Sequence, residues 1–167
     1  MPSYANLMTE TDADRREYSY LSSEESYSII RDLENRNLVV PVVGDFGGPK
    51  AIRGIGRYLK EHGAAATIFY LSNVESYLFR SAPPGNSNGG FEKFYNNVRT
   101  LPLTASSTFV RSIPVVNPQG GVTGWQSLVT ASIQQTIKDL DENRLNSYGD
   151  LYGSRRGGTP RGTVPGR

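Results

Sequence analysis

The stretch from Asn37 to Phe79, NLVVPVVGDFGGPKAIRGIGRYLKEHGAAATIFYLSNVESYLF, constrains the fold more than any other part of the chain. Its pattern predicts a strand at residues 38–43, a Gly-rich turn, a helix at 49–63, a strand at 65–71 and a second turn. A right-handed crossover between two parallel strands places both turns at the same carboxyl edge of the sheet. Ligands of open α/β sheets bind at that edge.

Further elements are predicted on both sides of this unit. The sequence Ser22-Ser23-Glu24-Glu25 is a capping box in which Ser22 caps a helix that ends near Asn35. The remaining predicted elements are a short helix at 91–98, a strand at 108–113 and a helix at 126–144. Because the first two strands are continuously apolar, they are typical of a parallel sheet with helices on both faces. We therefore expect an α/β fold, a Rossmann-like partial parallel sheet flanked by helices.

Composition favours one domain with a tail. The 167 residues, 37% of them apolar, are enough for a domain with a sizeable core, which we expect to span residues 1–152. Residues 153–167 hold four arginines and no acid, and their Gly- and Pro-rich composition predicts disorder. Since the basic excess lies in this tail, we expect no nucleic-acid surface on the domain.

The rarity of metal-binding and reactive side chains excludes several kinds of site. The chain has no cysteine, which excludes disulfides, thiolate zinc sites and a cysteine nucleophile and favours a reducing compartment. With His62 as the sole histidine and no tight group of acids, we expect no metal. No signal peptide or membrane-spanning pattern is present in residues 1–36. We therefore expect a cytoplasmic protein that does not associate with membranes.

The first turn, Gly44 to Lys50 (GDFGGPK), has two interpretations. The backbone amides of Gly47 and Gly48, at a helix N-terminus, favour an anion such as phosphate or carboxylate, and Asp45 is a plausible ligand contact. Alternatively, the glycines only let the chain turn while Asp45 accepts hydrogen bonds from nearby amides. The glycine spacing fits neither the dinucleotide fingerprint nor the P-loop.

The second turn also leaves two readings open. Ser72 or Asn73 can cap the helix that follows, with Glu75 at its positive end, or Asn73 and Glu75 can bind a polar ligand beside Asp45. Arg111 lies among apolar residues of the third predicted strand. It either faces solvent at a sheet edge or pairs with a buried acid, for which Asp45 is a candidate.

Several motifs resemble an uncharacterised bacterial family with known leptospiral members. They span most of residues 4–150 and include YANLM, SYLSSE, NLVVPVVGDFGGPKAIRGIGRYL, FYLSNVESYLF, FYNNV, LPL and SSTFVRS. The resemblance implies a Rossmann-like fold similar to that of S-adenosylmethionine-dependent methyltransferases, with residues 38–43 as the fourth strand. It also implies that this chain corresponds to the C-terminal half, and that an upstream half carries the Gly-rich loop that holds the cofactor.

Three functions follow as expectations. The first is a methyltransferase-like protein that binds S-adenosylmethionine only with the missing half. The second is a non-enzymatic binding or self-assembly module, because a three-stranded sheet leaves unpaired edges that self-association or an upstream half-domain would complete. The third is a small-anion binder at the first turn.

Overall fold

The computed structural model of the chain describes residues 3–12, 14–81, 89–116, 122–145 and 148–153. Within them the chain is an α/β protein that divides into two compact units, Met1–Val42 and Val43–Arg167. Apart from Gly153, the predicted tail lies outside the described residues. No helix in the described ranges is long and apolar enough to cross a membrane.

The first unit contains two helices. Helix α1 (Tyr4–Met8) is followed by an isolated antiparallel bridge between Thr11 and Glu17, and α2 (Glu24–Asn35) completes the unit. The predicted helix is confirmed, but its cap is Ser23, whose hydroxyl accepts from the Ser26 amide. The assignment of Ser22 as the cap was therefore wrong by one residue, within the usual uncertainty of a helix end.

The predicted first strand is wrong. Residues 38–43 form neither a helix nor a strand, and every apolar side chain among them is exposed. The run LVVPVV has the composition of a buried strand. A strand also needs a neighbouring strand to pair with its backbone N–H and C=O groups, and the local composition does not determine whether one is present. The exposed fractions are 54% for Leu38, 52% for Val39, 67% for Val40, 51% for Val42 and 101% for Val43.

The second unit holds the sheet and most of the helices. Helix α3 (Ala51–Glu61) ends before Gly63, whose φ of +62° is the predicted left-handed conformation. The elements that follow are β1 (Ile68–Ser72), α4 (Val74–Ser81), α5 (Gly90–Val98), β2 (Thr108–Val116), β3 (Val122–Ser132), α6 (Ile133–Asp141) and α7 (Asp150–Gly153).

The three strands form a mixed sheet in the order β1-β2-β3. β1 and β2 run parallel, as expected, with α4 and α5 between them, whereas β2 and β3 are antiparallel. The predicted helix at 126–144 is thus wrong in its first part, because residues 126–132 belong to β3 and α6 begins at Ile133. The expected partial parallel sheet is therefore found only in the β1–β2 pair, because β3 makes the sheet mixed.

Aromatic side chains dominate the core of this unit. Phe91, Phe94 and Tyr95 of α5 are fully buried. Tyr95 packs against Phe109 of β2, and Phe94 packs against Phe69 of β1. Ile52, Leu71, Val98 and Ile133 belong to the same cluster. These contacts pack α5 against one face of β1 and β2.

Candidate functional site

The first turn is held by Asp45 itself. The Asp45 carboxylate accepts from the Gly47 amide at 2.9 Å, and the Asp45 carbonyl accepts from the Gly48 amide at 3.0 Å. A Cβ on Gly48 would lie 3.2 Å from both the Cβ and the carbonyl oxygen of Asp45, so a larger residue there requires a shift of a few tenths of an ångström. An anion at this turn would have to displace both hydrogen bonds.

The side chain of Asn97, on α5, holds the same turn through hydrogen bonds. Its side-chain amide donates to the carbonyls of Phe46 at 2.9 Å and Gly48 at 2.8 Å. Its carbonyl oxygen accepts from Nε of Arg53 at 2.7 Å. Asn97 is 1% exposed, so three hydrogen bonds to one buried amide tie α5, α3 and the turn together.

The second turn lies at the carboxyl end of β1. Ser72 has a φ of +50° and sits opposite Arg111 in the sheet, where the register shifts. The Asn73 carbonyl accepts from both the amide and the hydroxyl of Ser76, which orders the first turn of α4. Ser72 and Asn73 are half-buried, and Glu75 on the next turn is fully buried.

Glu75, Arg111 and Tyr95 form a buried triad. Nε of Arg111 donates to Glu75 Oε2 at 2.6 Å, and Nη2 donates to Glu75 Oε1 at 3.2 Å and to the Tyr95 hydroxyl at 3.1 Å. The Tyr95 hydroxyl donates to Glu75 Oε1. Each residue is at most 1% exposed, and the Arg111 guanidinium stands 4.4 Å from the centre of the Phe109 ring. Arg111 does pair with a buried acid, but Asp45 was the wrong candidate.

The electrostatics of the triad keep Arg111 charged and Tyr95 neutral. Burial and the neighbouring Glu75 carboxylate raise the pKa of Tyr95 well above its usual 10.0. For Arg111, desolvation lowers the pKa, but Tyr95 and Glu75 outweigh it and the net shift is upward. Nη1 of Arg111 is buried without a hydrogen-bond partner in the part of the chain that the structure describes.

The raised pKa of Tyr95 predicts a specific loss of stability in alkali. The folded state holds the phenolic proton more tightly than the unfolded state, so this contribution is complete below pH 10 and is lost as the pH rises above it. In urea titrations above pH 10, the stability of Tyr95→Phe should fall less steeply than that of the wild type, by about 1.4 kcal/mol per pH unit. The exposed Tyr77→Phe should follow the wild-type profile. Parallel profiles for Tyr95→Phe and wild type would contradict the prediction.

The predicted site residues therefore fall into two groups. Asp45, Gly47 and Gly48 form the first turn, while Ser72, Asn73 and Glu75 surround the end of β1. Because residues 38–43 are not a strand, the expected common edge of two parallel strands is not formed.

Two buried polar residues, Tyr95 and Asn97, were missed. Both lie in α5, which the sequence predicts from its apolar positions alone. The signal that could have found Asn97 is its position three residues after Phe94, on the apolar side of the helix. Tyr95 has the weaker signal of a hydroxyl on a stripe that is otherwise Phe and Val, which requires a buried partner.

The described ranges contain no group of three or more His, Asp or Glu side chains that could hold a metal ion. A family model described as a domain of unknown function (DUF7790) matches residues 2–152. A search of curated proteins gives no match.

Proposed function

We propose that this chain, which belongs to the DUF7790 family, is the C-terminal half of a Rossmann-like, methyltransferase-like domain in the cytoplasm. In this proposal it binds S-adenosylmethionine only when an upstream polypeptide completes the sheet. The observation that carries the proposal is the parallel pair of β1 and β2, with polar residues gathered at the carboxyl end of β1. Ligands of open α/β sheets bind at such ends.

Burial separates the polar residues that stabilise the fold from those that are accessible to a ligand. Glu75 and Arg111 are buried and satisfy each other, so they stabilise the end of β1. Asp45 is exposed, and Ser72 and Asn73 are half-buried. Ser72 and Asn73, at the end of β1, would contact the methyl acceptor or the outer part of the cofactor, while Asp45 remains a separate candidate contact in the first turn.

The chain alone is not expected to transfer a methyl group. Methyl transfer depends on holding donor and acceptor in line, and this positioning supplies much of the catalysis in such reactions. The resemblance assigns the cofactor's methionine and ribose contacts to the upstream half. A chain without those contacts cannot hold the donor in that geometry.

Calorimetry with S-adenosylmethionine tests the proposal. We expect no heat and no thermal stabilisation with the chain alone, and both with an equimolar mixture of the chain and the polypeptide encoded upstream. S-adenosylhomocysteine should bind the mixture in the same way, because it shares the ribose and amino-acid groups. The absence of both heat and thermal stabilisation in the mixture would refute cofactor binding. Binding by the chain alone would refute the need for a second half.

A second candidate function is a non-enzymatic self-assembly module. The observation that favours it is the exposed apolar run at residues 38–43, since soluble monomers rarely leave contiguous apolar surface uncovered. Light scattering separates this candidate from the first. An assembly that forms without cofactor or upstream polypeptide supports it, and a monomer at high concentration counts against it.

A further inference from the structure

Two uncovered apolar features lie in the described part of the chain. The first is the segment at residues 38–43, which pairs with no strand. The second is the outer edge of β1, because the order β1-β2-β3 leaves β1 with one strand neighbour within the described ranges. Beside this edge, the side chains of Ile68 and Tyr70 lie on one face of β1 and are 70% and 60% exposed. The segment lacks a strand to pair with, and β1 lacks a second strand neighbour.

We propose that residues 38–43 of one copy add as a strand to the outer edge of β1 in a second copy, and that the exchange is reciprocal. The segment has six residues and β1 has five, so their lengths match. This inference concerns two copies of the chain by itself and rests on the self-assembly candidate, in which a second copy, and not an upstream polypeptide, completes the sheet.

The composition of both partners supports edge-to-edge pairing. Neither the segment (LVVPVV) nor β1 (IFYLS) contains a charged residue. Natural proteins protect free strand edges with lysine, inward charges or short bulged strands. The five-residue β1 contains no lysine, and its one register shift lies near its C-terminal end, between Tyr70 and Ser72. The segment is rich in β-branched valine, which favours the extended conformation. An uncharged strand edge and an uncharged, β-branched segment are therefore suited to pair by strand addition.

Pro41 decides which side of the segment pairs. In a strand, the backbone groups of alternate residues point to opposite sides, so Leu38, Val40 and Val42 face one side and Val39, Pro41 and Val43 the other. Proline lacks an N–H, which removes one donor from the second side. The side formed by Leu38, Val40 and Val42 keeps all its donors. The segment can therefore extend the sheet by one strand through this side, while its other side lacks one donor.

A second copy is the occupant because the chain carries both halves of the contact. In a two-fold dimer each copy donates one segment and accepts another, so the same pairing is made twice. The doubled contact covers the apolar segment and the open β1 edge of both molecules.

Proline substitutions supply a matched pair of variants for analytical ultracentrifugation of the full chain. We expect the wild type to dimerise with increasing concentration, Val42→Pro to shift the equilibrium at least tenfold toward monomer, and Val43→Pro to behave as the wild type. Both positions are exposed and lie outside helices and strands, so neither change disturbs the core. A wild type that stays monomeric, or two variants with the same affinity, would overturn the proposal.

Crosslinking gives an independent reading, because the chain has no cysteine of its own. Val40→Cys and Ile68→Cys are mixed as separate proteins and oxidised, so that a disulfide between the two variants forms only across copies. We expect a mixed dimer in much higher yield than from Val40→Cys mixed with Arg57→Cys, an exposed position on α3. Equal yields would overturn the proposal. Neither experiment contains S-adenosylmethionine, so this outcome is independent of the cofactor test.

Discussion

Replacing Arg111 with methionine is expected to lower the free energy of unfolding by about 3–5 kcal/mol. The substitution keeps an apolar stem but leaves the Glu75 carboxylate buried with only the Tyr95 hydroxyl as a partner from the triad. Native domains have total stabilities of about 5–15 kcal/mol, so a loss of this size is a large fraction of the whole. Urea unfolding followed by far-UV circular dichroism measures it.

An exposed ion pair provides the control for Arg111. Arg99 donates to Asp141 at 2.6 Å, but its side chain is 29% exposed and that of Asp141 is 58% exposed. Arg99→Met is therefore expected to cost less than about 1 kcal/mol. If the two Arg→Met variants have the same stability, the triad does not stabilise the fold as its burial predicts.

The double variant Glu75→Leu/Arg111→Met separates two free energies: the net contribution of the ion pair to stability, and the penalty for leaving one charge buried without its partner. Buried ion pairs can often be replaced by apolar groups with little loss of stability, whereas removal of one partner leaves the other charge buried and unpaired. We expect the double variant to recover at least half of the stability that Arg111→Met loses. A double variant as unstable as the sum of its parts would show that Glu75 and Arg111 act independently.

The sequence predicts the middle of the second unit well because local signals and packing agree there. Helix α3 and strands β1 and β2 all form near their predicted positions. Each combines a clear period or a β-rich apolar run with a boundary residue such as Gly63. Where the hydrophobic pattern, the boundary and the tertiary environment point the same way, element type can be read from the chain.

The two misassigned elements show what a local pattern omits. Residues 38–43 have strand composition but no strand partner, and pairing is a property of the whole fold. Residues 126–132 were read as helix because Val129, Ile133 and Ile137 are four residues apart. Val129 belongs to β3 while Ile133 opens α6, so this spacing runs across a strand-to-helix junction at Ser132, which caps the helix. A short apolar run cannot distinguish these cases by period alone.

The candidate site was predicted as a set of residues but not as a set of contacts. The sequence places Arg111 either at an exposed sheet edge or beside a buried acid, with Asp45 as the candidate, because it does not show which helix lies over the strand. Glu75 reaches Arg111 because α4 begins two residues after the β1 position that pairs with it. Tyr95 joins them from α5. These contacts are long-range in sequence, and no spacing rule encodes them.

Replacing Asn97 with leucine is expected to destabilise the fold by about 2–4 kcal/mol, because it removes the hydrogen bonds that anchor the first turn. The carbonyls of Phe46 and Gly48 lose their donor, and Nε of Arg53 loses its acceptor. Since leucine has nearly the same size and a higher helix propensity, α5 itself should be kept. The loss should therefore appear in two readings: a lower urea midpoint, and faster hydrogen exchange of the Gly48 amide.

The neighbouring Asn96 is a matched control for this change. It lies on the same helix but is exposed, and its side chain accepts only a local hydrogen bond from Arg99. Asn96→Leu should change the stability by less than about 0.5 kcal/mol and leave exchange at Gly48 as in the wild type. If Asn97→Leu matched Asn96→Leu in both readings, the turn would be held by Asp45 alone. Any ligand contact at Asp45 would then have to be explained without a rigid connection to α5.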